Sequence, residues 1–120
     1  MKKGLHTDLL FLLDIQTSMD RIAEYIRGYD FASFKKDNKT VDAVIRNFEI
    51  IGEASKKITD EIKEKNPDIP WDEMYYLRNK VTHEYFGVDY EIIWDIANNY
   101  LPGNKLFIDK IIKSYREEDV

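Results

Sequence analysis

Arg78, His83 and Tyr85 fall within eight residues of one another, in a run that reads Tyr75-Tyr76-Leu77-Arg78-Asn79-Lys80-Val81-Thr82-His83-Glu84-Tyr85-Phe86-Gly87. No other stretch of the chain concentrates Arg, Asn, Lys, Thr, His, Glu and Tyr in this way. The chain has 2 histidines. His6 stands close to the start, so a group that titrates near neutrality is sought first at His83. An arginine and a histidine together suit transesterification at a phosphodiester without a metal. The imidazole takes the proton of a ribose 2′-hydroxyl or returns one to the leaving oxygen, and the guanidinium offsets charge growing on the phosphoryl oxygens. RNA would bring its own nucleophile. His83 and Glu84 are adjacent and have no second histidine at ligand spacing, so neither a metal nor another cofactor is expected.

Plainer roles exist for the same side chains. Lys80 and Glu84, at i and i+4, fit a surface ion pair as well as Lys80 fits an RNA contact. Tyr85 fits a ring at the core edge with its hydroxyl in water. Read as one helix turning about 100° per residue, the segment places Met74, Leu77 and Val81 on the core side and His83 beside Asn79 and Tyr76. Arg78 then lies about 140° from His83. The two converge only through a distorted helix end or a second molecule, and a symmetric homodimer would supply the latter.

The elements that must position this segment follow from apolar spacing. Leu12, Ile15, Met19, Ile22 and Ile26 predict a first helix over 5–27 that stops at Gly28. The connector Tyr29-Asp30-Phe31-Ala32-Ser33-Phe34 is expected to lay its aromatics over the end of the core. Thr40 is expected to cap a second, long helix, with Val41, Val44, Phe48, Ile51, Ile58 and Ile62 on one stripe as far as Lys65. Gly52 inside it suggests a close helix crossing or a ligand-facing surface, at a cost of about 1 kcal/mol relative to alanine. After the loop Asn66-Pro67-Asp68-Ile69-Pro70, Trp71-Asp72-Glu73 opens the third helix, which Gly87 ends. Asp89 can cap a fourth, through Ile92, Ile93, Trp94, Ile96 and Ala97. Pro102-Gly103 is expected to interrupt that helix before a terminal one carrying Leu106, Phe107, Ile111 and Ile112. No strand is expected. The fold class is all-α, a small antiparallel bundle of four to five helices forming one domain over 1–120.

Composition sets the outer limits. The 120 residues are 43% hydrophobic and 34% charged, which describes a folded globular chain rather than a disordered one. The absence of cysteine removes disulfides and thiolate chemistry and fits a reducing cytoplasm. No apolar stretch reaches membrane-spanning length and no signal-peptide core is visible, so the expected location is cytoplasmic, with no membrane partner. A net charge of -5 argues against nonspecific coating of nucleic acid. It leaves room for a local positive pocket and for a basic partner.

Arg78, four intervening residues, His83, one residue and Tyr85 resemble the signature of the HepT toxins, within the larger HEPN group of helical ribonucleases. The likeness extends through Asp42-Ala43-Val44-Ile45-Arg46-Asn47-Phe48-Glu49-Ile50-Ile51-Gly52-Glu53-Ala54, Pro67-Asp68-Ile69-Pro70-Trp71 and His83-Glu84-Tyr85-Phe86-Gly87-Val88-Asp89, with Trp94 and Leu101-Pro102 in corresponding places. It covers nearly the whole chain. The resemblance implies a metal-independent RNA endonuclease acting as a homodimer with its cleft between subunits. Arg78 and His83 would be the catalytic pair and Asn79 the polar residue supporting them. It also implies a toxin-antitoxin pair in which a minimal nucleotidyltransferase is the antitoxin and places AMP on Tyr85. Phosphate and nucleoside at Tyr85 would oppose RNA by occupation and by charge. The substrate would be RNA such as tRNA or mRNA.

In the second-helix block, Arg46 and Asn47 are possible RNA contacts. Arg46 could equally pair with Glu53 or another acid, and a structural role is the first reading for Glu53. Tyr75-Tyr76-Leu77 stands where smaller residues are frequent, and Val81-Thr82 precedes the histidine; both departures bear on substrate preference more than on activity. Two other function classes fit the same sequence. One is a noncatalytic dimeric helical module that binds RNA, a nucleotide or a partner nucleotidyltransferase. In the other, the nucleotidyltransferase is the effector and this chain restrains it.

Overall fold

The computed structural model describes residues 3–77, 79, 82–83 and 87–118, with side chains over 7–77, 79 and 87–117. It is an all-α bundle. Helix α1 (Lys3–Ile26) packs chiefly on α3 (Asn38–Lys57), with α2 (Phe31–Lys36) closing one end. After α4 (Asp60–Lys65) and the proline loop, α5 (Trp71–Tyr75) lies against α3. The last rod begins as α6 (Tyr90–Asp95), passes through a π-helical turn (Ile96–Tyr100) and continues as α7 (Leu101–Glu118), which returns along α1. Among the described residues no helix is long and apolar enough to cross a membrane.

The apolar stripes read from spacing are the core. Leu12, Ile15, Met19, Ile22 and Ile26 of the first helix are buried against Val41, Val44, Phe48 and Ile51 of the third. Gly28 adopts φ +83°, the left-handed conformation that ends α1 without a Cβ penalty. The connector aromatics do cover the core end. Phe34 is fully buried with its ring 5.1 Å from that of Trp94, and Phe31 approaches the same indole. The segment is itself a helix, capped by Asp30, whose carboxylate accepts from the Ser33 amide while the Ser33 hydroxyl oxygen accepts from the Asp30 amide.

Several boundaries differ from the sequence expectation, each for a physical reason. Asp37, not Thr40, caps α3: its carboxylate accepts from the Thr40 amide at 3.1 Å and from the Thr40 hydroxyl at 2.8 Å. The long second helix does not run unbroken to Lys65. It stops at Lys57 because Asp8, fully buried on α1, accepts from the Thr59 amide at 2.9 Å and the Thr59 hydroxyl at 2.6 Å. This lifts the backbone out of helix at Ile58 while Ile58 and Ile62 stay in the core. Pro102-Gly103 interrupts nothing. The π-helical turn just before it lets Leu101 donate to Ile96, so the register shifts ahead of the proline that cannot donate. Leu106 and Phe107 lie on the outer side of α7, 64% and 38% exposed.

Asp37 also receives the Tyr29 hydroxyl, and these hydrogen bonds, Tyr29 foremost and then Thr40, hold its carboxyl below the usual carboxylate range. A depressed folded-state value contributes stability that is present above the unfolded carboxylate pKa, about 3.9, and is lost as pH falls through the lower folded value. Asp37→Asn keeps a capping oxygen but cannot ionise. Its urea midpoint should therefore fall less steeply than that of the wild type as pH is lowered below about 4. Identical acid limbs in the two proteins would contradict this assignment.

Candidate active site

The third helix is broken rather than continuous to Gly87: Tyr76 is a turn, Leu77 and Asn79 are again helical, and Thr82–His83 is extended. α5 ends at Tyr75, the Tyr76 amide reaches back to both Asp72 and Met74, and the Asn79 amide donates to the Tyr76 carbonyl at 3.0 Å, a tightened i to i+3 turn. Thr82–His83 (β1) is extended and pairs antiparallel with Gly87–Val88 (β2), Thr82 opposite Val88 and His83 opposite Gly87. This two-residue ladder corrects the expectation of a strand-free segment. It also removes the angle of about 140° between Arg78 and His83, which presupposed one continuous helix. Gly87 is needed, as expected, but at φ +82° within the ladder rather than as a helix stop. The ladder holds the His83 backbone beside that of Gly87. Arg78, Lys80 and Tyr85 lie outside the described residues, as does the His83 side chain.

Asn79 is described, and it is exposed on the wall of a cleft of 530 Å³ between α3 and the end of α5. Arg46, Glu49 and Glu53 line one side, Tyr75 and Tyr76 the other, and Gly52 forms part of the floor. The floor is tight for a reason. A Cβ at Gly52 would sit 2.7 Å from the Tyr75 carbonyl oxygen and 3.4 Å from that of Met74, so only glycine lets α5 approach this closely. The helix crossing suspected at Gly52 is thus real, and it also borders the cleft.

Of the second-helix residues, Arg46 reaches the cleft and pairs with Glu49 at 3.2 Å rather than with Glu53; its side chain remains 68% exposed. Glu53 is exposed on the cleft wall and makes no hydrogen bond or ion pair among the described residues. Asn47 is not brought to the cleft. It is buried, its amide donates to the Ala43 carbonyl at 2.9 Å, and its Oδ1 has no hydrogen-bond partner among the described residues. The structure therefore places Asn79 and Arg46 on one cleft and sets Asn47 behind it.

Sequence spacing missed the aromatic wall. The rings of Tyr75 and Tyr76 stand 4.5 Å apart, tilted by 43°, and the Lys56 ammonium lies 5.6 Å above the Tyr75 ring. Such a contact is weak but directional, and it helps fix Tyr75. The signal was available: Glu49, Glu53 and Lys56 recur at helical steps from Arg46, on the side of α3 that Gly52 opens to α5. Below the cleft, Glu73 of α5 accepts from the Tyr100 hydroxyl at 2.9 Å and ties α5 to the π-helical turn. Burial, and then the neighbouring Glu73 carboxylate, push the Tyr100 phenol above its ordinary value, so it stays a donor.

A profile of the family described as "Ribonuclease HepT-like" matches residues 15–111. Among the relatives, "Putative RNase MJ0127" of Methanocaldococcus jannaschii is 45% identical over 91% of this chain and 90% of its own length. "Putative RNase MJ0125" of the same organism is 43% identical over 90% and 93%. "Probable ribonuclease HepT" of Thermococcus cleftensis is 42% identical over 92% of this chain and 99% of its own length. No solved structure matches the chain. With a family match spanning most of the sequence and relatives of this identity along nearly their whole length, the chain belongs to the ribonuclease HepT-like family.

Proposed function

We propose that the protein is a metal-independent RNA endonuclease and the toxin of a cytoplasmic toxin-antitoxin pair, working as a homodimer. The observation that supports it best is the position of Asn79, exposed on a polar and aromatic cleft and directly following Arg78 in the chain. In this reading His83 accepts the proton of the ribose 2′-hydroxyl as O2′ attacks phosphorus. The bond to O5′ breaks, and that oxygen takes a proton from an imidazolium or from water. Arg78 stabilises the charge on the phosphoryl oxygens, and Asn79 orients the phosphate. Lys80 and Arg46 supply positive charge along the RNA, Arg46 less so because Glu49 partly neutralises it. Asn47 serves packing instead of RNA binding, since its amide is committed inside α3.

Control falls to Tyr85. A partner minimal nucleotidyltransferase transfers AMP to its hydroxyl, placing phosphate charge and a nucleoside in the segment that carries Arg78 and His83. The test is to compare the protein made alone with the protein made beside that enzyme, by intact mass and by cleavage of tRNA and mRNA in EDTA. Made alone, it should release fragments ending in 2′,3′-cyclic phosphate. Made with the partner, it should gain AMP mass localised to Tyr85 and stop cutting. Cleavage that requires an added divalent metal, or a modified protein that cuts at the unmodified rate, would overturn this reading. Tight partner binding without any cleavage would leave a noncatalytic module.

A further inference from the structure

The α3 side of the cleft, beside Arg46, suits a base more than a phosphate. Two carboxylates, Glu49 and Glu53, line it, and one of them already holds the guanidinium of Arg46. Phosphate would be repelled there. Tyr76, by contrast, is 51% exposed at the point where the backbone leaves α5, with one face turned to the Tyr75 ring 4.5 Å away. Tyr75 is itself half-buried, seated over the Gly52 crossing and under the Lys56 ammonium. The ledge is thus backed by a ring that cannot easily swing aside. Planar bases stack on such exposed aromatic faces, and a carboxylate accepts from the amino and imino groups of a base edge.

We infer that this cleft is a subsite for one unpaired nucleotide, whose base stacks on Tyr76 and gives its donor edge to Glu53. Glu53 suits the role because it lines the cleft with no other hydrogen bond or ion pair among the described residues. Guanine offers two adjacent donors, N1–H and the 2-amino group, to the two oxygens of a carboxylate and is the base best matched; uracil offers one. The site would therefore select single-stranded RNA and favour guanosine at the nucleotide held beside the Arg78 segment. As a claim about substrate choice, this rests on the RNA-cleaving reading above.

The experiment compares the full chain with its Tyr76→Ala, Tyr76→Trp and Glu53→Gln variants, on single-stranded oligoribonucleotides containing one guanosine or one uridine and on a duplex of the same sequence. Loss of one stacking partner should raise KM for the single strand by roughly 5- to 100-fold with little change in kcat. Tryptophan should restore KM, and Glu53→Gln should erase the preference for guanosine over uridine. Unchanged KM in Tyr76→Ala, with cleavage intact, overturns the subsite and leaves the ribonuclease reading standing. Binding is measured in parallel by fluorescence anisotropy of the same labelled oligonucleotides. Tyr76-dependent binding without cleavage would retain the subsite and reject the ribonuclease reading. A duplex bound and cut as well as the single strand also overturns the subsite, because a paired base cannot stack on the ring.

Discussion

Alanine at either Arg78 or His83 is expected to lower RNA cleavage by roughly 100- to 10,000-fold, with thermal unfolding and oligomeric state unchanged. The size follows from the two roles. A positioned general acid or base contributes about 10²–10⁴, and a donor aimed at developing charge about 10²–10³. Arg78→Lys should recover only part of the loss, because an ammonium keeps the charge without the two-pronged geometry that matches phosphoryl oxygens. Mixed dimers carry the argument further. If a site takes arginine from one subunit and histidine from the other, a dimer of Arg78→Ala with His83→Ala retains one complete site and regains activity. If each site draws both residues from the same chain, the mixed dimer is as inactive as its parents. Variants that fold normally and cut at the wild-type rate would show that the chemistry lies elsewhere.

How far the sequence discloses this arrangement depends on the range of the forces that set each part. Heptad-like spacing is local, so the buried faces of α1 and α3 can be read from Leu12, Ile15 and Met19 or from Val41, Val44 and Phe48 directly. The break after Lys57 cannot, because its cause is the Asp8 carboxylate, 51 residues away in sequence. The same stripe would bury Ile62 in one helix or in two. Pro102 misleads for a related reason: proline predicts an interruption, yet the five-residue π-helical turn on its N-terminal side absorbs the missing donor and the rod continues. At the candidate site, the residue types at 78–85 are informative in themselves, whereas the extended backbone of Thr82 and His83 departs from the helical period. The β-branched pair Val81-Thr82 before His83, and a glycine free to take positive φ at Gly87, were the local signs of extended backbone. Pairing of Asp37 with Tyr29 and Thr40 similarly outcompetes the simpler cap at Thr40. The cleft wall is tertiary: Tyr76 and Glu53 are 23 positions apart and meet the same space only because Gly52 lets α5 close on α3.

That closure makes Gly52 the most sensitive position in the scaffold. In an exposed helix, Gly→Ala stabilises by up to about 1 kcal/mol through helix propensity. At Gly52 the new methyl would meet the Tyr75 carbonyl oxygen at 2.7 Å, closer than real Cβ contacts allow, and the obstacle is backbone rather than a flexible side chain. Overpacking of this kind costs about 1–3 kcal/mol, and a rigid neighbour places the cost at the upper end. The net expectation for Gly52→Ala is a loss of about 1–2 kcal/mol and a fall in Tm of roughly 5–10 °C. Gly103→Ala is the internal control: it lies in a helix with no atom within 4 Å of the added Cβ and should raise Tm slightly. Equal stability of the two variants would show that α5 yields freely at this crossing. Any yielding also has a functional reading, because α5 carries Tyr75 and Tyr76 and leads into Arg78. A displacement near 1 Å at a reacting group can cost about 100-fold in rate. Cleavage by Gly52→Ala, measured well below its Tm, should therefore fall further than its folded fraction does, while cleavage by Gly103→Ala follows its stability.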